Sequence, residues 1–223
     1  MKSRNILIVG DSLGLPRINL PYSQTWPFLL SSKLTNYHFV LKLQRALTSK
    51  IINSGVSEDW LEFYCPQYVI LQLGIVDCSP RYIKNGGLLM KFLSLLPQIL
   101  KSFFWILIKK SFKRSSKNAD INIKDFQNNI EKYISRCEDI GVERIFIIKI
   151  AKSGSSMVKQ NPNILDQIDS YNKIIEKISY EKNNYIIISS LEKANDNYFL
   201  EDGYHLNEYG NKQVFQEIVK HFE

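Results

Sequence analysis

The chain of 223 residues predicts an α/β fold, a three-layer sandwich in which a central parallel sheet is flanked by helices. Two observations carry this. Short apolar runs close at glycine-containing loops, as strands covered on both faces do. Between those runs lie amphipathic stretches whose apolar residues recur at helical spacing.

Ile6, Leu7, Ile8 and Val9 form the first run and enter the turn Gly10-Asp11-Ser12-Leu13. "TWPFLLSSKL", residues 25–34, predicts a helix with Pro27 in its first turn. "KIINSG", residues 50–55, predicts a second strand ending at Gly55, and "YVILQLG", residues 68–74, a third followed by the turn-like "DCSPR". Ile123, Phe126, Ile130, Tyr133, Ile134, Cys137 and Ile140 lie on one helical face, which Gly141 stops. The strand "RIFIIKI" comes next, then a helix from Asp166 to Lys182, the strand "YIIIS" at 185–189 and a last helix from Asn207 to Phe222. Nothing repeats. The chain is expected to form one domain over 1–223, with an apolar and basic helical insert at about 86–118.

Three cysteines, Cys65, Cys78 and Cys137, are too few and too scattered for a disulfide framework and make no metal pair. Neither a metal nor a cofactor is expected. The start, MKSRNILIVG, has four consecutive apolar residues, too short a run for a secretory signal, so a cytoplasmic location is expected. Net charge is +7, yet residues 88–118 hold seven cations and no acid, leaving 22 basic and 22 acidic residues elsewhere. The whole excess belongs to the insert. That distribution argues against a nucleic-acid binder, whose positive charge would track its folded surface.

Ser12 stands beyond the carboxyl end of a predicted strand, where open α/β sheets bind ligands. The alternative reading is that Asp11 and Ser12 cap the next helix. A serine nucleophile needs a base, usually histidine oriented by a carboxylate. His38 sits between aromatic and β-branched residues and His221 lies near the terminus. His205 is different, in the polar loop "EDGYHLNEYG" with Asp202 three residues earlier.

With Gly10-Asp11-Ser12-Leu13, Gly55, Gly74-Ile75-Val76-Asp77 and Asp202-Gly203-Tyr204-His205 in that order, the chain resembles the SGNH hydrolases, or GDSL esterases and lipases, across nearly its whole length. The resemblance implies an acyl-enzyme on Ser12, with His205 as base and Asp202 as its orienter. It implies backbone donors to the oxyanion at Ser12 and Gly55. Transfer of the acyl group to water makes an esterase; transfer to a sugar hydroxyl makes an acyltransferase. The expected substrate is a small-molecule or glycan ester, above all an acetyl ester of a carbohydrate or glycolipid. The alternatives are a lipase-like or lysophospholipase-like hydrolase and a binding or scaffolding protein on the same fold.

One block departs from the family. Its third block carries an asparagine that donates to the oxyanion, and the matching position here is Val76. Asn53 and Gln72 are the candidates to compensate. Asp77 is expected to pair with Arg81 or to cap a turn. Asp11, Arg17, Asn53, Asp77 and Arg81 complete the expected substrate site, and the two arginines suggest an anionic substrate.

The insert's residues 88–108 hold fifteen apolar residues of twenty-one, followed by "KKSFKR". A single membrane crossing would put Ser12 and His205 on opposite sides of the bilayer. Better readings are a lid over the crevice, a pair of helices at an anionic membrane surface or a partner, or a helix in the core or a dimer interface.

Overall fold

Five strands build the sheet: β1 (Asn5–Gly10), β2 (His38–Leu43), β3 (Tyr68–Gln72), β4 (Arg144–Ile148) and β5 (Tyr185–Ile188). All neighbours pair parallel in the order β2-β1-β3-β4-β5, with Ile8 opposite Leu41 on one side and Ile70 on the other. The computed structural model describes residues 4–85, 87–180 and 184–222; the expected insert start, Gly86, and helix end, Lys182, lie outside them. In chain order the helices are α1 (Trp26–Lys33), α2 (Gly55–Leu61), the single turn α3 (Ile75–Cys78), α4 (Leu88–Leu95), α5 (Gln98–Ser111), α6 (Ile123–Asp139), α7 (Ser155–Gln160), α8 (Ile164–Tyr180) and α9 (Glu208–Val219).

Side chains alternate across a strand, and that parity sorts the apolar runs into two cores. Leu7, Val9, Val69, Leu71, Ile145 and Ile147 face α6 and α8, where Phe126, Ile130, Tyr171 and Ile175 meet them. Ile6, Ile8, Ile70, Phe146 and Ile148 face α1 and α9, where Trp26, Leu30, Val214 and Ile218 close the other layer. Each such side chain, fully removed from water, contributes about 1.5–3 kcal/mol. Continuous apolar runs therefore belong to strands with helices on both faces, as the sequence predicts.

The second strand is not where the sequence pattern puts it. β2 spans His38–Leu43, whereas Ser49–Asn53 form a 3-10 turn and Gly55 opens α2. β2 lies at the sheet edge and its residues stay half-buried, with His38 exposed and the Lys42 ammonium 5.3 Å from the Tyr64 ring centre. An edge strand can be partly polar, which hides it from a search for apolar runs. Ile51 and Ile52 sit in a turn closed by Ile51 N–H to the Thr48 carbonyl and Ser54 N–H to the Ile51 carbonyl, at 3.1 and 3.0 Å.

The insert folds as a helical hairpin, α4 and α5, with a cluster of its own around Ile83, Leu93 and Ile108. That cluster is separate from the two main cores, so the core-helix reading is corrected. Among the described residues no helix is long and apolar enough to cross a membrane.

Candidate active site

Strand order changes direction between β1 and β3, leaving a crevice at their carboxyl ends where neighbouring chains part. Ser12 enters that crevice from β1. Gly10 leaves room at the strand end, because a Cβ there would lie 3.0 Å from the Leu43 side chain and 3.3 Å from the Gln72 carbonyl, closer than ordinary packing. The chain then tightens into a 3-10 turn, Ser12–Gly14, which Asp11 caps by accepting the Leu13 N–H at 2.9 Å. Capping and nucleophile are thus divided between neighbours: Asp11 holds the turn and Ser12 occupies its tip.

His205 arrives from the loop before α9. Asp202 presets that loop, because its Oδ1 accepts the backbone N–H groups of Tyr204 and His205 at 3.1 and 2.9 Å. Its Oδ2 lies 2.6 Å from His205 Nδ1, and His205 Nε2 lies 3.0 Å from Ser12 Oγ. The three residues form one relay in the order a serine nucleophile requires. Burial pushes the Asp202 carboxyl up, but hydrogen bonds from the His205 backbone and ring and the Tyr204 backbone outweigh it and hold the group below its ordinary value. Burial lowers the His205 imidazole and the nearby Arg17 and Arg45 lower it further, against the raising effect of Asp202. The net shift is downward, which keeps the ring neutral and able to accept a proton near pH 7.

Around this relay lies a cavity of about 440 Å³ lined by Ser12, Arg17, Arg45, Ala46, Ile75, Val76, Ser79, Arg81, Arg114, Met157, Gln160, Tyr204 and His205. Its lining comes from the segments after β1, β2 and β3, from Arg114 beyond α5, from α7 and from the loop before α9. Ala46 is in the left-handed region at φ 59°, unusual for a residue with a Cβ. Arg17 Nη2 contacts His205 Nε2, the same nitrogen that faces Ser12. That nitrogen has one lone pair, so Arg17 and the serine proton compete for it.

The chain matches a lipase/acylhydrolase from Enterococcus faecalis with TM-score 0.66 at 15% identity, over 98% of this chain and 95% of that one. An acetylxylan esterase from Geobacillus stearothermophilus, in a catalytic mutant, matches with TM-score 0.63 at 12% identity over 99% and 94%. The chain has the SGNH-hydrolase fold. A psychrotrophic esterase from Pseudoalteromonas, described as inhibited by monoethylphosphonate, matches with TM-score 0.55 at 17% identity over 98% and 96%. No family model matches the sequence, and no curated protein matches it.

Several expected site residues lie elsewhere on this SGNH fold. Gly55 is exposed and does not line the cavity, because the strand expected before it is absent. Asn53 donates to the Asn129 carbonyl at 2.7 Å, and Gln72 accepts from the Trp26 indole at 2.8 Å beneath the sheet edge. Neither lines the cavity, so neither supplies the donor missing at Val76. Asp77 is buried and accepts the Ser49 N–H and hydroxyl at 2.9 and 2.6 Å, which makes it a turn-holding residue rather than a partner of Arg81. Arg81 pairs instead with Asp120 at 2.6 Å. Asp11 is buried outside the cavity; Arg17 and Arg81 do line it. No α4 or α5 side chain lines the cavity, so the hairpin does not form a lid in this structure. Sequence reasoning missed Arg45 and Ala46 because it missed β2, after which they follow.

Proposed function

We propose that the protein is a serine esterase that removes a short acyl group, acetyl above all, from a hydroxyl of a carbohydrate or glycolipid. The observation that carries this is the unbroken relay from Ser12 Oγ through His205 to Asp202, at 3.0 and 2.6 Å. Ser12 Oγ attacks the ester carbonyl carbon while His205 Nε2 takes its proton. Asp202 stabilises the imidazolium that forms and fixes its tautomer. Collapse of the tetrahedral intermediate breaks the ester C–O bond, and His205 returns the proton to the departing alcohol oxygen. Water then attacks the acyl-Ser12 carbonyl with the same base and releases the acid.

The oxyanion needs donors already in place. The Ser12 backbone N–H is one. In this reading the second is the Ala46 backbone N–H, since Ala46 lines the cavity in a left-handed conformation that turns the peptide sharply after β2. Val76 leaves the third position apolar. A short acyl group is favoured because the apolar lining amounts to Ala46, Ile75, Val76 and Met157, without the long greasy channel that a lipase would use.

The test is labelling with a serine-directed phosphonate, followed by acetate release from acetylated sugars. Wild type is expected to take one label and Ser12→Ala none. Labelling that persists in Ser12→Ala would overturn the assignment. Appearance of a new sugar ester instead of free acetate would convert the esterase into an acyltransferase with the same residues.

A further inference from the structure

Four arginines reach the Ser12 cavity from four separate segments: Arg17 after the nucleophile turn, Arg45 after β2, Arg81 after α3 and Arg114 three residues beyond α5. Among the described residues Arg81 alone of the four has a carboxylate, Asp120 at 2.6 Å. Among the described residues, no carboxylate lies within ion-pair distance of Arg17, Arg45 or Arg114. The Nε atoms of Arg17, Arg81 and Arg114 are buried without a hydrogen-bond partner. Three uncompensated cations around one cavity repel one another, an arrangement that favours a bound anion.

The cluster is also held in place. Arg81 and Ser115 exchange backbone hydrogen bonds at 3.3 and 2.9 Å, which fastens the segment carrying Arg114 to the segment carrying Arg81. The Arg114 guanidinium lies 4.8 Å from the Tyr82 ring centre, and Asn118 Nδ2 donates to the Tyr82 carbonyl at 3.1 Å. These contacts limit how far the guanidiniums can move apart.

We propose that the cavity binds an ester whose alcohol part carries a phosphoryl group, held by Arg17, Arg45, Arg81 and Arg114; this rests on the esterase reading and names its substrate class. A phosphoryl group offers up to two charges and three oxygens, enough for two guanidinium forks, whereas a carboxylate fills one.

The test is calorimetric and independent of turnover. Ser12→Ala protein is titrated with phenyl phosphate, benzoate and benzamide, in low and high salt. Phenyl phosphate is expected to bind at least about tenfold more tightly than benzoate, with benzamide weakest, and high salt to narrow the gap. Adding Arg45→Gln and Arg114→Gln should weaken phenyl phosphate binding by at least about tenfold, with the fold checked by circular dichroism; Arg45→Lys and Arg114→Lys should recover part of it. Binding of phenyl phosphate no better than benzamide, or unchanged by the glutamine pair, would overturn the proposal. Benzoate binding as well as phenyl phosphate would overturn the phosphoryl assignment. Loss of phosphonate labelling at Ser12 would instead count against the esterase reading, because the titration does not need a working nucleophile.

A separate observation concerns the hairpin. Of the seventeen large apolar side chains exposed among the described residues, ten lie between Leu88 and Phe112. Leu88, Leu95 and Ile99 are 86%, 83% and 85% exposed, so the face has no cover among the described residues. The same stretch, 88–118, holds seven cations and no acid. We infer that α4 and α5 lie flat on an anionic lipid surface, apolar side chains in the acyl boundary and lysines among the headgroups. Charge decides the occupant: an apolar face ringed by one sign of charge complements a bilayer bearing the other. In co-sedimentation the protein should bind phosphatidylglycerol vesicles, bind phosphatidylcholine vesicles much less, and lose binding in Leu95→Ser/Ile99→Ser. Equal binding to both lipids, no binding to either, or a dimer in solution that hides this face would overturn it.

Discussion

Asp11→Asn is expected to make the protein more stable in alkaline solution and to flatten its pH dependence. Asp11 is wholly buried, and its Oδ2 has no hydrogen-bond partner. Burial pushes its carboxyl from 3.8 up to about 7; Asp77 adds to the rise, while the Leu13 N–H and Arg17 oppose it. Between those two values the folded protein keeps the proton that the unfolded chain has released. The folded state therefore binds more protons there, and stability falls as pH rises through that window, levelling above about 7. A gap of about three pH units at 1.36 kcal/mol each sets the loss at up to about 4 kcal/mol. Asparagine keeps an oxygen for the Leu13 N–H and cannot ionise. Urea unfolding of both proteins at pH 4 and pH 8 measures the effect. The variant should gain up to about 4 kcal/mol on wild type at pH 8 and little at pH 4. Some pH dependence should remain in the variant, because burial also raises Asp77, to about 6. A variant with the wild-type dependence on pH, or one less stable than wild type at pH 8, would refute the reasoning.

Ser12→Ala and His205→Ala are each expected to abolish release of acetate from an aryl acetate, and Asp202→Asn to retain more residual turnover, measured as kcat. The acid limb of kcat/KM should have its midpoint below pH 6.5, since the net shift on His205 is downward; a midpoint above 7 would contradict the burial of that ring. Val76→Asn should raise kcat on an aryl acetate, by at most about 100- to 1,000-fold, the usual worth of one oxyanion donor. Because Val76 lies half-buried at the cavity, the new amide can reach water and melting temperature should change little. Ala46→Gly should stabilise the protein by up to about 1 kcal/mol in urea, since glycine relieves the left-handed backbone at φ 59° and gives part of that back in unfolded-state entropy.

What the sequence disclosed and what it withheld divide along physical lines. β1, β3 and β4 were readable because each is buried on both faces, which leaves a continuous apolar run, β5 because its three isoleucines keep the run apolar although it lies at an edge and is partly exposed, and α6 and α8 because one apolar face repeats at helical spacing. Ser12, Asp202 and His205 were readable because they stand in short ordered blocks that resemble those of a known family, and the Asp202 carboxylate holds the Tyr204 and His205 backbone amides in place. β2 was not, because exposed His38 and half-buried Lys42 break the continuous apolar pattern, and without that strand Arg45 and Ala46 were not placed at the cavity. After β2 the chain turns at Ala46, an alanine held in the left-handed region that glycine usually occupies, so the residue type that would mark the turn is missing.

The arginines illustrate a harder limit. Arg17 and Arg81 flank predicted strand ends, yet nothing local ties Arg45 or Arg114 to them, and Arg114 belongs to a basic run that composition assigns to the insert. Long side chains gathered from four loops make a site that no sequence window contains. Their gathering also bears on Val76. An oxyanion forming beside uncompensated guanidiniums feels a favourable field from several charges, so one missing amide donor costs less here than in a neutral site. On this argument high salt should slow wild type more than it slows Val76→Asn, because the variant leans less on a field that ions screen. Steady-state kcat on a neutral aryl acetate, at low and at 1 M sodium chloride, measures both. Equal salt sensitivity in the two proteins would mean that the arginines act on the substrate's own charge and leave the oxyanion to its two backbone amides.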